Sequence, residues 1–398
     1  MTARVLTTIT AVLCVVLVLV VGIWLGAHTR YLPGPIADAL AGNENRRVVN
    51  DGLDTIHDKY YRNISRRELS DAALTGAVAD LHDRFSAYFS KKQYALFNQS
   101  INNQFTGIGM GVRDAKDGLL VLSLYRKSPA EKAGIRVGDV ITAANGHKLA
   151  GLKSEAATAF IKGREGTKVT LRLRRGSKTL VKRVKRATIS VPVVSSKLAN
   201  AGGKRVAYIL LSTFGPSTAH EEVAAAIRKQ RARGAKGIVL DLRRNGGGLV
   251  SEAQLIASMF LPDGPIVTTK GRSVDTRTLY ATGKPIAGKL PTVVLVDGDT
   301  ASAAEIVAGA LQDRHRAQLV GVKTFGKGVF QEIMPLHNGG ALDITVGQYF
   351  LPSGRNLGGS RVTRGSGLKP DVPARDDPNT PKTDEALDRA LAVLARKL

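Results

Sequence analysis

Apolar positions change their spacing along the chain, and each change marks a different kind of element. Leu6 to Ala27 is a run of 22 uncharged residues in which threonines are the polar members. Over 46–100 the spacing turns helical: Val48, Leu53, Ile56 and Tyr60, then Leu74, Val78, Leu81 and Phe85, recur every three or four positions. Ser70 ahead of Ala73 and Leu74 reads as a helix start. From Thr106 short apolar runs alternate with glycine turns, predicting strands at Leu119–Leu124, Val169–Leu173 and Leu180–Val184, with a helix at Glu155–Ile161. From Lys204 buried-type strands (Val206–Leu211, Gly237–Leu242, Thr292–Val296, Leu319–Val322) alternate with helical stretches at 218–233, 249–260 and 301–313. That alternation predicts a layered α/β domain. A Pro- and Asp-containing linker then leads to an amphipathic helix around Ala386–Leu394. The expected chain is multidomain α+β: an anchor or signal segment (1–30), a linker and helical region (31–100), a strand-rich domain (101–190), an α/β core (191–372), and a linker with a helix (373–398).

At about 1.5 Å per residue, Leu6–Ala27 is long enough for a hydrocarbon core of about 30 Å, and longer than the usual apolar centre of a cleaved signal. The expectation is a single-pass membrane anchor with the bulk of the chain on the extracytoplasmic side. The alternative is secretion after cleavage near Ala37-Asp38-Ala39. Arg4 on one side and Arg30, Arg46 and Arg47 on the other leave the charge rule for orientation undecided. A single cysteine, Cys14, excludes an intrachain disulfide and any cysteine-based metal site. The net charge of +25 predicts attraction to anionic surfaces. Between Lys162 and Arg186 stand eleven basic residues and one acidic, yet no aromatics interleave them for base stacking. The stretch therefore reads as a solvated face, and no specific nucleic-acid partner is expected.

Gly107-Ile108-Gly109-Met110 precedes an apolar strand, then Ser128-Pro129-Ala130-Glu131-Lys132-Ala133-Gly134-Ile135, then Gly138-Asp139-Val140-Ile141. A glycine-rich turn presents backbone N–H groups that can capture a terminal carboxylate, while the next strand edge pairs with an extended peptide. The order resembles a PDZ domain, with Gly107, Ile108, Gly109 and Met110 as the peptide-binding turn. A dinucleotide-binding loop fits worse, since position 112 is Val and a strand follows where a helix is needed.

The chemistry concentrates in two segments. Val293–Val296 runs into Asp297-Gly298-Asp299-Thr300-Ala301-Ser302-Ala303-Ala304-Glu305, a strand, a sharp turn and a helix start. A serine there is exposed at an elbow, beside helix N–H groups suited to an oxyanion, although a serine at a helix start also serves as a simple cap. Thr324-Phe325-Gly326-Lys327-Gly328-Val329-Phe330-Gln331 follows, its lysine 25 positions after Ser302. Together with Asp241-Leu242-Arg243-Arg244-Asn245-Gly246-Gly247-Gly248, these segments resemble the tail-specific, or carboxyl-terminal processing, proteases of serine peptidase family S41. Tyr280–Gly283, Pro352–Arg355 and Lys369–Val372 extend the likeness through most of residues 46–398.

The resemblance implies a crotonase/ClpP-like serine protease core. Ser302 would be nucleophile, Lys327 general base and Gln331 its orienting partner, with amides of Gly247 and Ala303 as oxyanion hole. It implies no metal or cofactor, and substrates that are proteins or peptides with unstructured C-termini. A homodimer through the helical collar is a further expectation. The chain departs from the family at Thr300 and Ala304, where Ser is usual, and at Gly246, where Pro is usual.

A neutral lysine is required to accept the serine proton. From an ordinary value near 10.4 that needs a shift of roughly 3 units, or about 4 kcal/mol of disfavoured charge. Phe325 and Val329 are the apolar neighbours expected to supply it. If Lys327–Ile333 is a strand, Lys327, Val329 and Gln331 share a face. Asp313 falls a helix length from Ser302 and is expected to support the fold.

Other readings compete. Gly321–Gly328 approaches a phosphate-binding loop, but position 328 lacks the hydroxyl that would hold Mg²⁺. His220-Glu221-Glu222 lacks a second zinc histidine, and His315 is a rival base for Ser302. A non-catalytic PDZ scaffold at the membrane and a crotonase-like lyase remain the alternatives to a peptidase.

Overall fold

The computed structural model describes residues 13–24, 44–283, 285–358, 366–380 and 383–398. Of the apolar N-terminal run, residues 13–24 are described, and they are helical. The rest of the run and most of the linker lie outside the described residues. Among the described residues no helix is long and apolar enough to cross a membrane, so the expected transmembrane helix is not supported.

The chain divides into two units, residues 1–88 and 89–398. The first contains α1 (Glu44–Lys59) and α2 (Arg66–Ala79). The start of α2 is set by Ser65, whose hydroxyl accepts from Glu68 N–H while the Glu68 carboxylate accepts from Ser65 N–H. Ser70, expected at a helix start, sits inside α2 and donates to the Arg66 carbonyl. Ser65-x-x-Glu68 was the reciprocal capping signal in the sequence.

The second unit opens with α3 (Lys91–Ile101) and continues as a strand-rich domain: β1 (Gln104–Gly107), β2 (Met110–Ala115), β3 (Gly118–Leu124), β4 (Val140–Ala144), α4 (Ser154–Ala159), β5 (Lys168–Arg175), β6 (Lys178–Lys185) and β7 (Ala187–Ser190). Strands β2, β3, β4, β5 and β6 pair in that order, all antiparallel, and β1 pairs separately with β7. Val169, Leu171 and Leu173 point into its own core with Leu119, Ile141 and Ala157, while Lys168, Thr170, Arg172 and Arg174 alternate outward. The basic stretch is thus the wet face of a strand, as expected.

The α/β core is built on strands β8 (Val194–Ala201), β9 (Lys204–Leu211), β10 (Ile238–Asp241), β11 (Thr292–Val296), β12 (Gln318–Gly321) and β13 (Val372–Pro373), adjacent in that order. β8 is antiparallel to β9 and the remaining neighbours are parallel. Strand residues divide by alternation between two apolar layers. Ala207, Ile209 and Leu211 face α5 (Ala219–Ala232), α6 (Val250–Ala257) and α7 (Ala303–Asp313), whereas Val206 and Tyr208 face α8 (Glu385–Ala395). Strands buried on both faces have the continuous apolar runs seen in the sequence.

A second sheet of this unit contains four strands, of which the sequence pattern suggested one. These are β14 (Pro265–Gly271), β15 (Arg277–Tyr280), β16 (Val329–Pro335) and β17 (Ala341–Phe350), with β17 pairing both β14 and β16. β16 begins at Val329, two residues later than expected, and its ladder with β17 shifts register between Phe330 and Gln331.

Candidate active site

Three loops leave the carboxyl ends of adjacent parallel strands, where open α/β sheets place ligands. Residues 242–249 follow β10, 297–302 follow β11, and 322–328 follow β12. Between them they carry Gly247, Ser302 and Lys327.

Ser302 sits at φ 56°, ψ −120°, a region that non-glycine residues seldom occupy. Such a conformation costs about 1–3 kcal/mol and persists only where its surroundings enforce it. Here they do. Thr300 donates its hydroxyl to the Leu242 carbonyl, Ala301 N–H donates to the Asn245 carbonyl, and Ser302 N–H donates to Glu305 Oε2 at 2.9 Å. Beyond the elbow every residue of α7 from Ala303 to Leu311 is buried. The geometry is that of a nucleophile elbow, in which a strained strand-to-helix turn presents the serine. Ser302 is 8% exposed.

Glu305 was visible in the sequence only as part of the elbow motif, and the structure makes it the centre of the site. Its carboxylate is fully buried and accepts four hydrogen bonds. Oε1 takes the Thr324 hydroxyl and Gly326 N–H (2.7 Å); Oε2 takes Ser302 N–H (2.9 Å) and Lys327 N–H (3.0 Å). Burial pushes this carboxyl above the usual range, and the four donors pull against it. One carboxylate oxygen therefore seats the backbones of Ser302 and Lys327 together.

Lys327 is half-buried, and its Nζ donates to Gln331 Oε1 at 2.6 Å. Gln331 Nε2 in turn donates to Thr345 Oγ1 at 2.9 Å, so the amide turns its oxygen to the lysine. The predicted Lys327–Gln331 contact exists, but shared strand alternation does not produce it. Lys327 lies before β16, and opposite the Phe330/Gln331 step β17 carries an extra residue, Val346, which sets Gln331 level with Thr345.

Gly247 lies against the elbow at φ +100°, where a Cβ would come within 2.8 Å of Ser302 Cβ and 2.9 Å of Ala303 N. The two amides expected to form an oxyanion hole are thus neighbours. They are not equivalent: Gly247 N–H donates to Asn245 Oδ1 at 2.9 Å, a side-chain turn closed two residues on, whereas Ala303 is the first residue of α7. The free loop spends its Gly247 amide internally.

That loop is braced from behind. Arg243 donates to Asp241 and to both carboxylate oxygens of Asp384 (2.8 Å each), and Tyr208 donates its hydroxyl to Asp241 at 2.7 Å. Asp384 caps α8, and the guanidinium holds its carboxyl below the ordinary range. Arg243→Ala leaves the buried Asp241 carboxylate without its counter-charge and is expected to lower unfolding free energy by about 3 kcal/mol, read from urea titration.

The rival residues fall elsewhere. His315 is exposed beyond the far end of α7, about 17 Å of helix from Ser302. Asp313 binds Ser353 N–H and Arg355, as a fold-supporting residue should. His220 pairs with Glu252 at 3.0 Å. Among the described residues no group of His, Cys, Asp and Glu is arranged to hold a metal ion.

In the strand-rich domain the Gly107–Met110 turn joins β1 to β2, which lies at the edge of its sheet among the described residues. The Ile108 side chain is buried in the domain core, so only its backbone is available to a ligand. Gly109 has φ +78°, and a Cβ there would sit 2.4 Å from Ser128 Cβ. The carbonyls of Ile108 and Gly109 accept from Ala130 and Tyr125 N–H, which anchors the turn. Asp114 Oδ1 accepts from Ser154 N–H and ties β2 to the start of α4.

Residues 205–374 match Peptidase family S41, and residues 106–185 match the PDZ domain. A probable CtpA-like serine protease of Staphylococcus aureus is 35% identical over 330 residues, covering 82% of this chain and 64% of its own length. Its counterpart in Staphylococcus epidermidis is 32% identical over 331 residues, covering 82% and 65%. The chain thus spans less than two thirds of the length of these curated relatives. Among solved structures, the photosystem II D1 C-terminal processing protease is 29% identical, with 87% of this chain and 90% of that one covered and a TM-score of 0.48. A putative S41 protease from Bacteroides fragilis, 20% identical, covers 87% and 97% with a TM-score of 0.50, a likeness of fold.

Proposed function

The chain carries a peptidase domain of family S41 and a PDZ domain, and from that premise we propose that it is a serine endopeptidase of the carboxyl-terminal processing type. Ser302 Oγ attacks the scissile carbonyl while the neutral Lys327 amine takes its proton. The tetrahedral oxyanion is held by Ala303 N–H, joined by Gly247 once Asn245 releases that amide. Lys327 then passes the proton to the leaving amine, and water, deprotonated by the same lysine, hydrolyses the acyl-serine. Gln331 takes one N–H of the amine and keeps its lone pair aimed away from the amide, toward the nucleophile.

The observation that carries this reading is the shared Glu305 oxygen, which holds a strained serine and a glutamine-oriented lysine as one unit. A non-catalytic scaffold has no use for a serine kept at φ 56°.

In the PDZ domain the Gly107–Met110 backbone receives a terminal carboxylate, and the β2 edge pairs with the tail. The length of the uncharged run Leu6–Ala27 suits a membrane tether, the family resemblance favours a peptidase outside the cytoplasm, and exposed Val48, Val49 and Ile56 on α1 suit contact between two copies.

The intact chain is expected to cleave an unfolded protein with a free C-terminus about tenfold faster than the same protein C-terminally amidated, because a charge-assisted contact is lost. Equal rates would remove tail capture from the proposal. No cleavage of either substrate would remove the peptidase reading itself.

A further inference from the structure

Tyr349 is the largest of the fully buried side chains among the described residues, and its ring alone would be served equally well by phenylalanine. A buried hydroxyl is costly unless it is bonded. This one donates to the Lys327 carbonyl and lies 3.5 Å from the Ser302 carbonyl. The second of these carbonyls also accepts from Ile306 N–H, so the Tyr349 proton goes to Lys327.

Tyr349 and Thr345 both belong to β17, one on each side of its register shift against β16. Thr345 fixes Gln331, which fixes the Lys327 amine; Tyr349 fixes the Lys327 carbonyl. One strand therefore grips the lysine at its head and at its root. The end of that strand is itself pinned to the Lys327 loop. Tyr349 N–H donates to the Gly328 carbonyl at 3.1 Å, and Asn356 Nδ2 bridges the carbonyls of Gly328 (2.8 Å) and Tyr349 (2.7 Å). At the other end of the same two residues, Glu305 takes the N–H groups of Ser302 and Lys327. Burial and the Glu305 charge both push the Tyr349 phenol well above its ordinary value, so it remains a donor wherever the protein is folded.

We propose that Tyr349 is a positioning residue of the reaction, and that with Glu305 it forms a clamp on the backbones of Ser302 and Lys327 that sets the distance between nucleophile and base. The inference rests on the Ser302–Lys327 reading. The clamp touches no substrate. It acts by holding two residues, carried by separate loops, within the tolerance that proton transfer needs, where a misplacement of about 1 Å costs on the order of 10²-fold.

The test is Tyr349→Phe in the intact chain, which keeps the ring and deletes the hydroxyl. The turnover number is expected to fall about 10- to 100-fold with KM within about twofold of the parent. The second-order rate of acylation by a small fluorophosphonate should fall by the same factor, while the fraction of molecules finally labelled stays near one. A purely structural role would give the converse: fewer labelled molecules, each reacting at the parent rate. That outcome, or parent kinetics throughout, overturns the clamp. Glu305→Gln, which keeps the shape but turns an N–H₂ toward two donors, is expected to show the same loss confined to turnover. It decides the matter should the phenylalanine variant not fold. Parent kinetics in Tyr349→Phe beside an inert Lys327→Ala would remove the clamp alone, whereas a fully active Lys327→Ala would remove the reading beneath it.

Discussion

Ser302→Ala is expected to lower the rate of peptide cleavage by about 10⁴-fold or more, measured as product formed per mole of enzyme on an unfolded substrate. The size of the effect follows from the elbow. Everything that enforces φ 56° acts on the backbone: the Ala301 amide on Asn245, the Ser302 amide on Glu305, and the buried helix behind them. Alanine keeps the Cβ and inherits each constraint, so the turn survives and only the oxygen is lost. The midpoint of thermal unfolding should accordingly move by no more than about 4 °C. A residual rate above a tenth of the parent would place the nucleophile elsewhere, since adjacent water activated by the same lysine could not sustain it.

Lys327→Ala and Lys327→Arg are both expected to be about 10³-fold slower than the parent, and the arginine variant is the more informative. Guanidinium remains protonated at any accessible pH, so it can supply charge but cannot accept a proton. Recovery of activity by arginine would mean that position 327 contributes electrostatically, and the base would have to be sought again. Both variants should stay folded. The main-chain contacts of this position, N–H to Glu305 and carbonyl to Tyr349, do not depend on its side chain. Comparing kcat with far-ultraviolet circular dichroism on the same preparations separates lost chemistry from lost structure.

The elements that could be read in the sequence are those whose burial pattern is self-evident. β9, β10, β11 and β12 are apolar on both faces, and their runs match the expected strands to within about two residues. β16 and β17 are different. Most of their residues are half-exposed, and Gly347, Gln331 and Glu332 break any alternation, so they form a hairpin through pairing that the apolar pattern does not record. The site divides along the same line. Ser302, Lys327 and Gln331 announced themselves through motif and spacing, while Tyr349 and Thr345 did not, because β17 comes to the lysine through the fold. Glu305 is an intermediate case: a carboxylate three residues after a helix-capping serine is a familiar capping pattern. Its other three partners, Thr324, Gly326 and Lys327, lie about twenty positions away and need the three-dimensional structure to appear. The Gly247 amide is the reverse case, a correctly located group whose hydrogen bond to Asn245 no motif could reveal.

The short edge strand β2 bears on what can count as a substrate under the proposed function. Its ladder with β3 is interrupted between Gly111 and Val112, and past the interruption come the exposed Arg113 and Asp114, the latter engaged with α4. A regular stretch of that length can align only about three or four residues of an incoming chain. So few positions discriminate among chemical kinds of ending and cannot name a single protein. Choice is then exercised largely by the substrate: a chain whose last residues are folded away offers nothing to the edge, and the same chain after local unfolding does. The selectivity of such an enzyme would follow the conformational stability of its clients, and heat or damage would enlarge the set of proteins it cuts without any change in the enzyme.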